Sequence, residues 1–376
     1  MPTDELVKPR TGDQATVVCL SLTDTLAQEA TAWEELREHS PAASPFMSRA
    51  WHQAWAGSAP PGELHASYGI LARGAAGAVD AILPVAVRNV VLRRQRVAAL
   101  TWAIGDVGCP DHLDVLATPA ANLDAMVPVL RSLPWDVLIL DNLTAGETNA
   151  TRLAAALAQS GCAVRWEPRW RCPYVELPRR WEDYLASLSA NRRQAVRRRE
   201  RALERGHVIT VVDHAAAGLD EGWRRLVDLH GRRWSGAGAF RDPRVERLHR
   251  SFARELAGRG QLWLSTLEVN GEPAAAWYGF SDRDTVYFYQ SGRDPRWEDW
   301  SVGAVLMAKM VRRAIEGGYR RLDLLRGDEG YKSQWAAAHR VTTELVAFRP
   351  GWRGRWLRGV DLVARLRARL RRPERD

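Results

Sequence analysis

Apolar and polar positions along this 376-residue chain fall into two successive series of strands and helices. In the first, TVVCL (16–20) reads as a strand, followed by a helical segment over 24–38. Phe46, Trp51 and Trp55 recur near helical spacing within 46–57. SYGILAR (67–73), VDAILPVAVRNVV (79–91) and VAALTW (97–102) read as strands, the first two joined by a hairpin turning on Gly74 and Gly77. WDVLILDNL (135–143) is another buried strand, framed by helices over 122–133 and 147–160, with Gly161 closing the second.

The second series repeats that order in a different sequence. PYVELP (173–178) leads into one long basic helix over 181–206, and VITVVD (208–213) follows as a strand. Helices over 218–234 and 243–258 precede a three-strand meander, 261–292, turned by Asn270-Gly271 and by Asp282-Arg283-Asp284. A helix over 301–318, a strand over 321–325 and a last strand over 342–348 complete it. Each half thus has an antiparallel meander and one strand–helix–strand crossover. That order excludes a doubly wound nucleotide fold, in which strands and helices alternate throughout, and predicts an α+β class with mostly antiparallel mixed sheets.

Composition narrows the function classes. No window carries the run of apolar residues that a membrane span needs, and the start MPTDELVKPR lacks the apolar core of a secretory signal. The expected location is cytoplasmic. Cys19, Cys109, Cys162 and Cys172 show neither a C-x-x-C pair nor metal spacing, so no zinc or other metal is expected. A net charge of +9 favours anionic partners. Of the 54 basic residues only Lys8, Lys309 and Lys332 are lysine. Much of the charge sits on the helix over 189–205, where Arg197/Arg201 and Arg201/Arg205 are like-charged i,i+4 pairs. A helix that tolerates them suggests an anion nearby, which makes Arg197 and Arg201 candidate acceptor-binding residues.

One stretch, LDLLRGDEGYKSQW (322–335), places an acid inside an apparent core strand. It then releases Arg326, Asp328, Glu329, Tyr331 and Lys332 within a few residues. Together with EPAAAWYGF (272–280), the run over 286–318 and LHGRRWSGAGAF (229–240), it resembles the GNAT-type acyltransferases. Within them it is similar to the BioF2-like (CelD-type) group, bacterial proteins linked to polysaccharide and cellulose production. The resemblance spans roughly 44–350 as two tandem GNAT-like halves, a layout shared with the Fem-type peptidyltransferases. It implies a loose N-terminus (1–15), a degenerate GNAT-like domain (16–170), a GNAT domain (171–350) and a basic amphipathic tail (351–376).

In that fold an acyl-CoA, here acetyl-CoA by expectation, lies between two splayed parallel strands with a helix start facing its pyrophosphate. Helix starts carry unpaired N–H groups and a partial positive charge, so they bind phosphate. The matching start is Ser301-Val302-Gly303-Ala304, with Asp299 or Ser301 as a cap. The chain reads Trp300-Ser-Val-Gly-Ala where the family usually has Gln/Arg-x-x-Gly-x-Gly/Ala. Transfer from a thioester also needs a base, an oxyanion donor and an acid for the leaving thiolate. Asp323 or Glu329 would be the base and Tyr331 the acid. Arg326 or Lys332 would hold a phosphate, a carboxylate or the oxyanion. The same segment would equally serve as a solvated turn with Asp323 paired to an arginine. On the strand before the helix, alternation puts Tyr287 and Tyr289 on one face as acceptor-site candidates. Phe288 and Gln290 fall on the other, Gln290 with the donor.

The implied activity is transfer of an acyl group to an amine or hydroxyl of a small-molecule or glycan acceptor, a sugar, nucleotide-sugar or polysaccharide precursor. An aminoacyl-tRNA donor and a silent binding or scaffold protein are the alternatives. No DNA-binding signature is present. The tail over 352–372 carries Trp352, Trp356, Val363, Leu366 and Leu370 among arginines, a pattern suited to peripheral contact with an anionic membrane.

Overall fold

The computed structural model describes residues 16–40, 44–74, 77–215, 217–236, 238–327 and 329–370, with side chains through 367. The segment 1–15, expected to be loose, and Asp328 of the polar loop lie outside the described residues, as does the end of the tail, 371–376. In chain order the first elements are β1 (Thr16–Ser21), α1 (Leu22–Gln28), α2 (Ala30–His39), α3 (Arg49–Ala56) and α4 (Pro61–His65). Next come β2 (Ser67–Arg73), β3 (Val79–Leu92), β4 (Gln95–Trp102), β5 (Leu116–Ala117), α5 (Met126–Ser132), β6 (Val137–Thr144) and α6 (Asn149–Gln159). β7 (Ala163–Glu176), α7 (Trp181–Ser187), α8 (Ala190–Gly206), β8 (Ile209–Asp213), α9 (Leu219–Arg233) and α10 (Pro243–Gly258) follow. The chain closes with β9 (Leu262–Val269), β10 (Glu272–Asp282), β11 (Thr285–Arg293), α11 (Val302–Glu316), β12 (Arg321–Asp323), β13 (Ala338–Phe348) and α12 (Trp352–Leu370). The class is α+β.

The chain divides into two units, one of residues 171–340 and one of the residues on either side. The boundary expected at 350 therefore moves to 340. The cause is pairing, because β13 runs antiparallel to β6 from Thr342↔Thr144 to Phe348↔Val137, which draws 341–348 into the first unit.

In the first unit β1, β2, β3 and β4 form an antiparallel meander. β4 then pairs in parallel with β6 through Ala99↔Val137, Leu100↔Leu138 and Thr101↔Ile139. Beyond that ladder the strands part, and the chain fills the gap with its own residues. Leu113 bridges Leu143, its N–H donating to the Asn142 carbonyl at 2.9 Å and its carbonyl accepting from Thr144 N–H at 3.0 Å. Asp114, buried beside it, accepts from the N–H groups of Asn149 (3.2 Å) and Ala150 (2.7 Å), which open α6. Its carboxylate therefore occupies a helix N-terminus. Gly161 (φ +90°) follows α6 as expected, with Cys162 N–H returning to the Leu157 carbonyl.

In the second unit β8, β9, β10 and β11 are antiparallel. Asn270 (φ +52°) and Gly271 (φ +83°) supply the left-handed pair that the β9–β10 hairpin requires. The basic helix expected as one piece is two, α7 and α8, parted at Leu188-Ser189. There Ser189 Oγ accepts from Arg192 N–H and starts the second helix. α8 turns Val196 and Leu203 inward, and Glu200 and Glu204 meet Lys309 of α11, each at 3.2 Å. The acids of α8 are thus spent on packing while most of its arginines face out.

Candidate active site

The site grows from a parting of strands in the second unit. β11 and β12 run parallel for three residue pairs, Thr285↔Arg321, Val286↔Leu322 and Tyr287↔Asp323. β11 continues to Arg293, whereas the chain after Asp323 leaves the ladder through Leu325 at φ +55°. Leu324 N–H turns to the Pro173 carbonyl at 2.9 Å. The expected strand 321–325 is therefore shorter, and its loss opens a cleft.

A groove of about 220 Å³ lies beside this divergence. Ser301, Val302, Gly303 and Ala304 line it together with Tyr331, Gln334 and Trp335. The two segments that the sequence reading set on a common groove thus share one. Trp277 and Phe288, 5.2 Å between ring centroids, form its apolar floor.

The turn into α11 differs from the expected cap. Ser301 is left-handed (φ +51°, ψ +39°), and neither its hydroxyl nor the Asp299 carboxylate caps the helix. Side-chain capping needs an extended N-cap residue, which this turn denies. The Ser301 carbonyl accepts from Ala304 N–H (2.8 Å) and Val305 N–H (3.1 Å). Among the described residues the N–H groups of Val302 and Gly303 have no protein acceptor. A non-glycine residue held left-handed costs about 1–2 kcal/mol, a strain that concentrates at functional sites.

β11 carries a bulge that resets its faces. Tyr278 pairs with Gln290 and Gly279 with Phe288, so Tyr289 is the extra residue. Simple alternation joins Phe288 with Gln290; the bulge joins it instead with Ser291, which lines the groove as Gln290 does not. Tyr287 and Tyr289 do share a face, but it is not the groove face. Tyr287 is buried and stacks on Phe280 (5.8 Å), while Tyr289 packs on His249 (4.2 Å) and Tyr278 (5.8 Å). Burial, reinforced by the Asp323 charge, pushes the Tyr287 phenol well above its ordinary range. Tyr287 is a core residue, and Tyr289 is half-buried.

The polar loop divides its labour. Asp323 is fully buried, accepts from Leu325 N–H at 2.8 Å and pairs with Arg340 at 2.5 Å. That explains the acid in a core strand: it fixes the left-handed exit and pairs with a guanidinium. Lys332 is buried too, its Nζ donating to the carbonyls of Arg326 (2.6 Å) and Leu325 (3.5 Å) and pairing with Glu329 at 3.0 Å. Lys332 and Glu329 staple the loop closed, and neither lines the groove. Nor does the Arg326 side chain. Tyr331 does, and burial pushes its phenol up to about 12 against the opposing pull of Arg233.

Three arginines line the groove that sequence reasoning did not single out for it: Arg199, Arg233 and Arg293. Arg233, the last residue of α9, donates to Ser291 Oγ and lies over the rings of Trp234 (4.9 Å) and Tyr331 (5.3 Å). It reaches that point because Gly292 has no side chain; a Cβ there would run into the backbone of Leu229 and His230. Arg293 pairs with Glu298 at 2.8 Å, and Glu298 is the only acid lining the groove among the described residues. Arg197 and Arg201 face elsewhere, on an open face of α8 with Arg193, Arg198 and Arg205. Helix periodicity explains the split, since Arg199 flanks the stripe of Val196 and Leu203 on one side, Arg193 flanks it on the other, and Arg197, Arg198, Arg201 and Arg205 lie further round from it.

Uncovered N–H groups and three guanidiniums against one acid give this groove the chemistry to hold an anion, and Trp277 and Phe288 give it apolar surface for a neutral extension. No curated protein is significantly similar to the chain in sequence. Among solved structures, FemX superposes with a TM-score of 0.53 at 12% identity, covering 84% of this chain and 94% of that one. A conserved protein of unknown function from Bacteroides thetaiotaomicron gives 0.55 at 15% identity, covering 89% and 100%. L-PGS from Bacillus licheniformis gives 0.50 at 11% identity, covering 89% and 95%. These likenesses show the fold alone. Residues 190–333, which include every residue of the groove but Gln334 and Trp335, match the family described as acetyltransferase (GNAT) domain.

Proposed function

We propose that the second unit is an acyltransferase that takes its acyl group from acyl-CoA, acetyl-CoA first, and passes it to an amine or hydroxyl of an anionic sugar, nucleotide-sugar or polysaccharide precursor. One observation carries the reading: the uncovered start of α11 and the half-buried phenol of Tyr331 border one groove beside β11, the strand that outruns β12. The donor's pyrophosphate would sit on the N–H groups of Val302 and Gly303, with Arg293 and Arg199 beside it. The pantetheine arm would run over Trp277 and Phe288 toward Tyr331. The acceptor's nitrogen or oxygen then forms a bond to the acyl carbon, the carbon–sulfur bond breaks, and the thiolate takes the electron pair. With Asp323 and Glu329 engaged in the loop, Glu298 or water takes the nucleophile's proton.

Tyr331 remains protonated at neutral pH. A thiol ordinarily titrates near 8.5, well below a phenol pushed up to about 12, so full proton transfer from the phenol to a thiolate would be uphill. Tyr331 therefore acts by donating a hydrogen bond to the sulfur as charge develops, and Arg233 stabilises the same charge. Calorimetry with acetyl-CoA and longer acyl-CoAs tests the reading: saturable binding that weakens in Gly303→Asp is expected, and no binding at millimolar donor overturns it.

A second reading uses aminoacyl-tRNA as donor, favoured by the open arginine face of α8. Binding of charged tRNA that disappears on replacing Arg197, Arg198 and Arg201, with no affinity for acyl-CoA, would put it first.

A further inference from the structure

Helix α12 buries only a narrow strip of itself. Leu357 and Asp361 are almost inaccessible, and a Cβ at Gly354 would collide with the Arg349 carbonyl. Asp361 is the only acid in the helix, against six arginines over 352–370. It is ringed by Arg93 (3.1 Å), Arg165 (2.9 Å) and Arg365 (3.3 Å). The helix therefore neutralises its one negative charge on the inner side.

The outer side is built differently. Trp352, Trp356, Val363 and Leu366 are 76%, 48%, 46% and 49% exposed, proportions unusual for such large apolar residues. At about 100° per residue these four fall within roughly 80° of arc, a continuous stripe. Arg355 and Arg367 flank it at about 60° on either side, and Arg358 lies further round. All three are exposed and have no carboxylate partner among the described residues. The β3–β4 turn, held to the helix by the Arg93–Asp361 pair, adds exposed Arg94 and Arg96 to the same neighbourhood.

We propose that this outer face of α12 docks on an anionic lipid bilayer. The helix lies in the plane of the surface, its apolar stripe enters the headgroup–acyl boundary, and its arginines meet lipid phosphates. Indole rings favour that boundary, having an apolar body and one N–H to keep wet. Arginine stems can lie along apolar surface while the guanidinium stays at the phosphates. Charge selects the occupant: among the described residues the face offers cations and no acid. A second copy docked through the same patch would set Arg355, Arg358 and Arg367 against their own like charges. Nothing in this inference depends on the acyltransferase reading, because these residues lie outside the unit that carries the groove.

Cosedimentation of the full chain with phosphatidylcholine vesicles, with and without a phosphatidylglycerol fraction, tests the proposal. Binding is expected only to the anionic vesicles and should weaken with added salt. Trp352→Ser/Trp356→Ser and Arg355→Gln/Arg367→Gln should each reduce the partition coefficient by roughly tenfold or more. Both variants alter exposed side chains only, so an unchanged far-UV spectrum and melting temperature will confirm that they fold. The proposal fails if the wild type does not bind anionic vesicles, or if both variants bind as the wild type does. It fails too if sedimentation shows the wild type dimerising without lipid while the variants stay monomeric.

Discussion

Each unit contains the same device, two parallel strands that pair over three residues and then part, and the two units use it in opposite ways. In the first, the gap between β4 and β6 is stitched by Leu113 against Leu143, and the Asp114 carboxylate sits on the start of α6. In the second, the gap between β11 and β12 opens onto a groove with arginines around it and a helix start left uncovered. The comparison teaches how one strand arrangement can be either filled by the chain or left open. The strand geometry is kept, while the anion-binding end of a helix is satisfied by the chain's own acid.

Five substitutions would break or sharpen that contrast. Tyr331→Phe removes the hydroxyl proposed to donate to the leaving sulfur without emptying the groove. Turnover should fall by about 10³-fold with donor affinity nearly unchanged, read from initial rates and calorimetry. Gly303→Asp recreates in the second unit what Asp114 does in the first, a carboxylate at a helix start. A Cβ at Gly303 meets only Arg293 Cδ, at 3.8 Å, so the fold should tolerate it while donor affinity drops by about 10²-fold. Leu113→Ala removes the stitch from the first unit. It should cost about 2.5 kcal/mol in denaturant unfolding and leave donor binding intact.

The smallest effect concerns pH. Burial raises Asp114 to about 6, so its native form binds the extra proton between about pH 4 and 6. Its stabilising contribution, complete below the unfolded value of 3.8, is lost as pH rises through about 6. Burial lowers His52 from 6.5 to about 4, so its contribution is complete above 6.5 and lost as pH falls through about 4. The two slopes oppose each other in the wild type. Asp114→Asn should unmask stability that rises with pH by roughly 2 kcal/mol across this window, and His52→Gln stability that falls with it. Denaturant midpoints at stepped pH would read both.

The elements were largely legible in the chain. Periodicity and turn chemistry located the meanders, the Asn270-Gly271 hairpin and the helix over 243–258, because those signals are local. The juxtaposition of Ser301 with Tyr331 was legible only through the resemblance, since no local pattern ties two segments thirty residues apart. The errors have structural causes. Alternation misplaced Gln290 because one bulged residue reverses the phase of a strand. Asp323 and Lys332 looked chemical because a buried acid and a rare lysine are conspicuous, yet each holds the loop that presents Tyr331. Arg233 went unread because it reaches the groove only where a side-chain-free Gly292 lets α9 approach β11.

Hydrogen exchange at single-residue resolution, with and without millimolar acetyl-CoA, tests the contrast most directly. Slower exchange at Val302 and Gly303, with residues 103–118 unchanged, is the expected result. Protection confined to 103–118, or no protection at Val302 and Gly303 under saturating donor, would contradict the account.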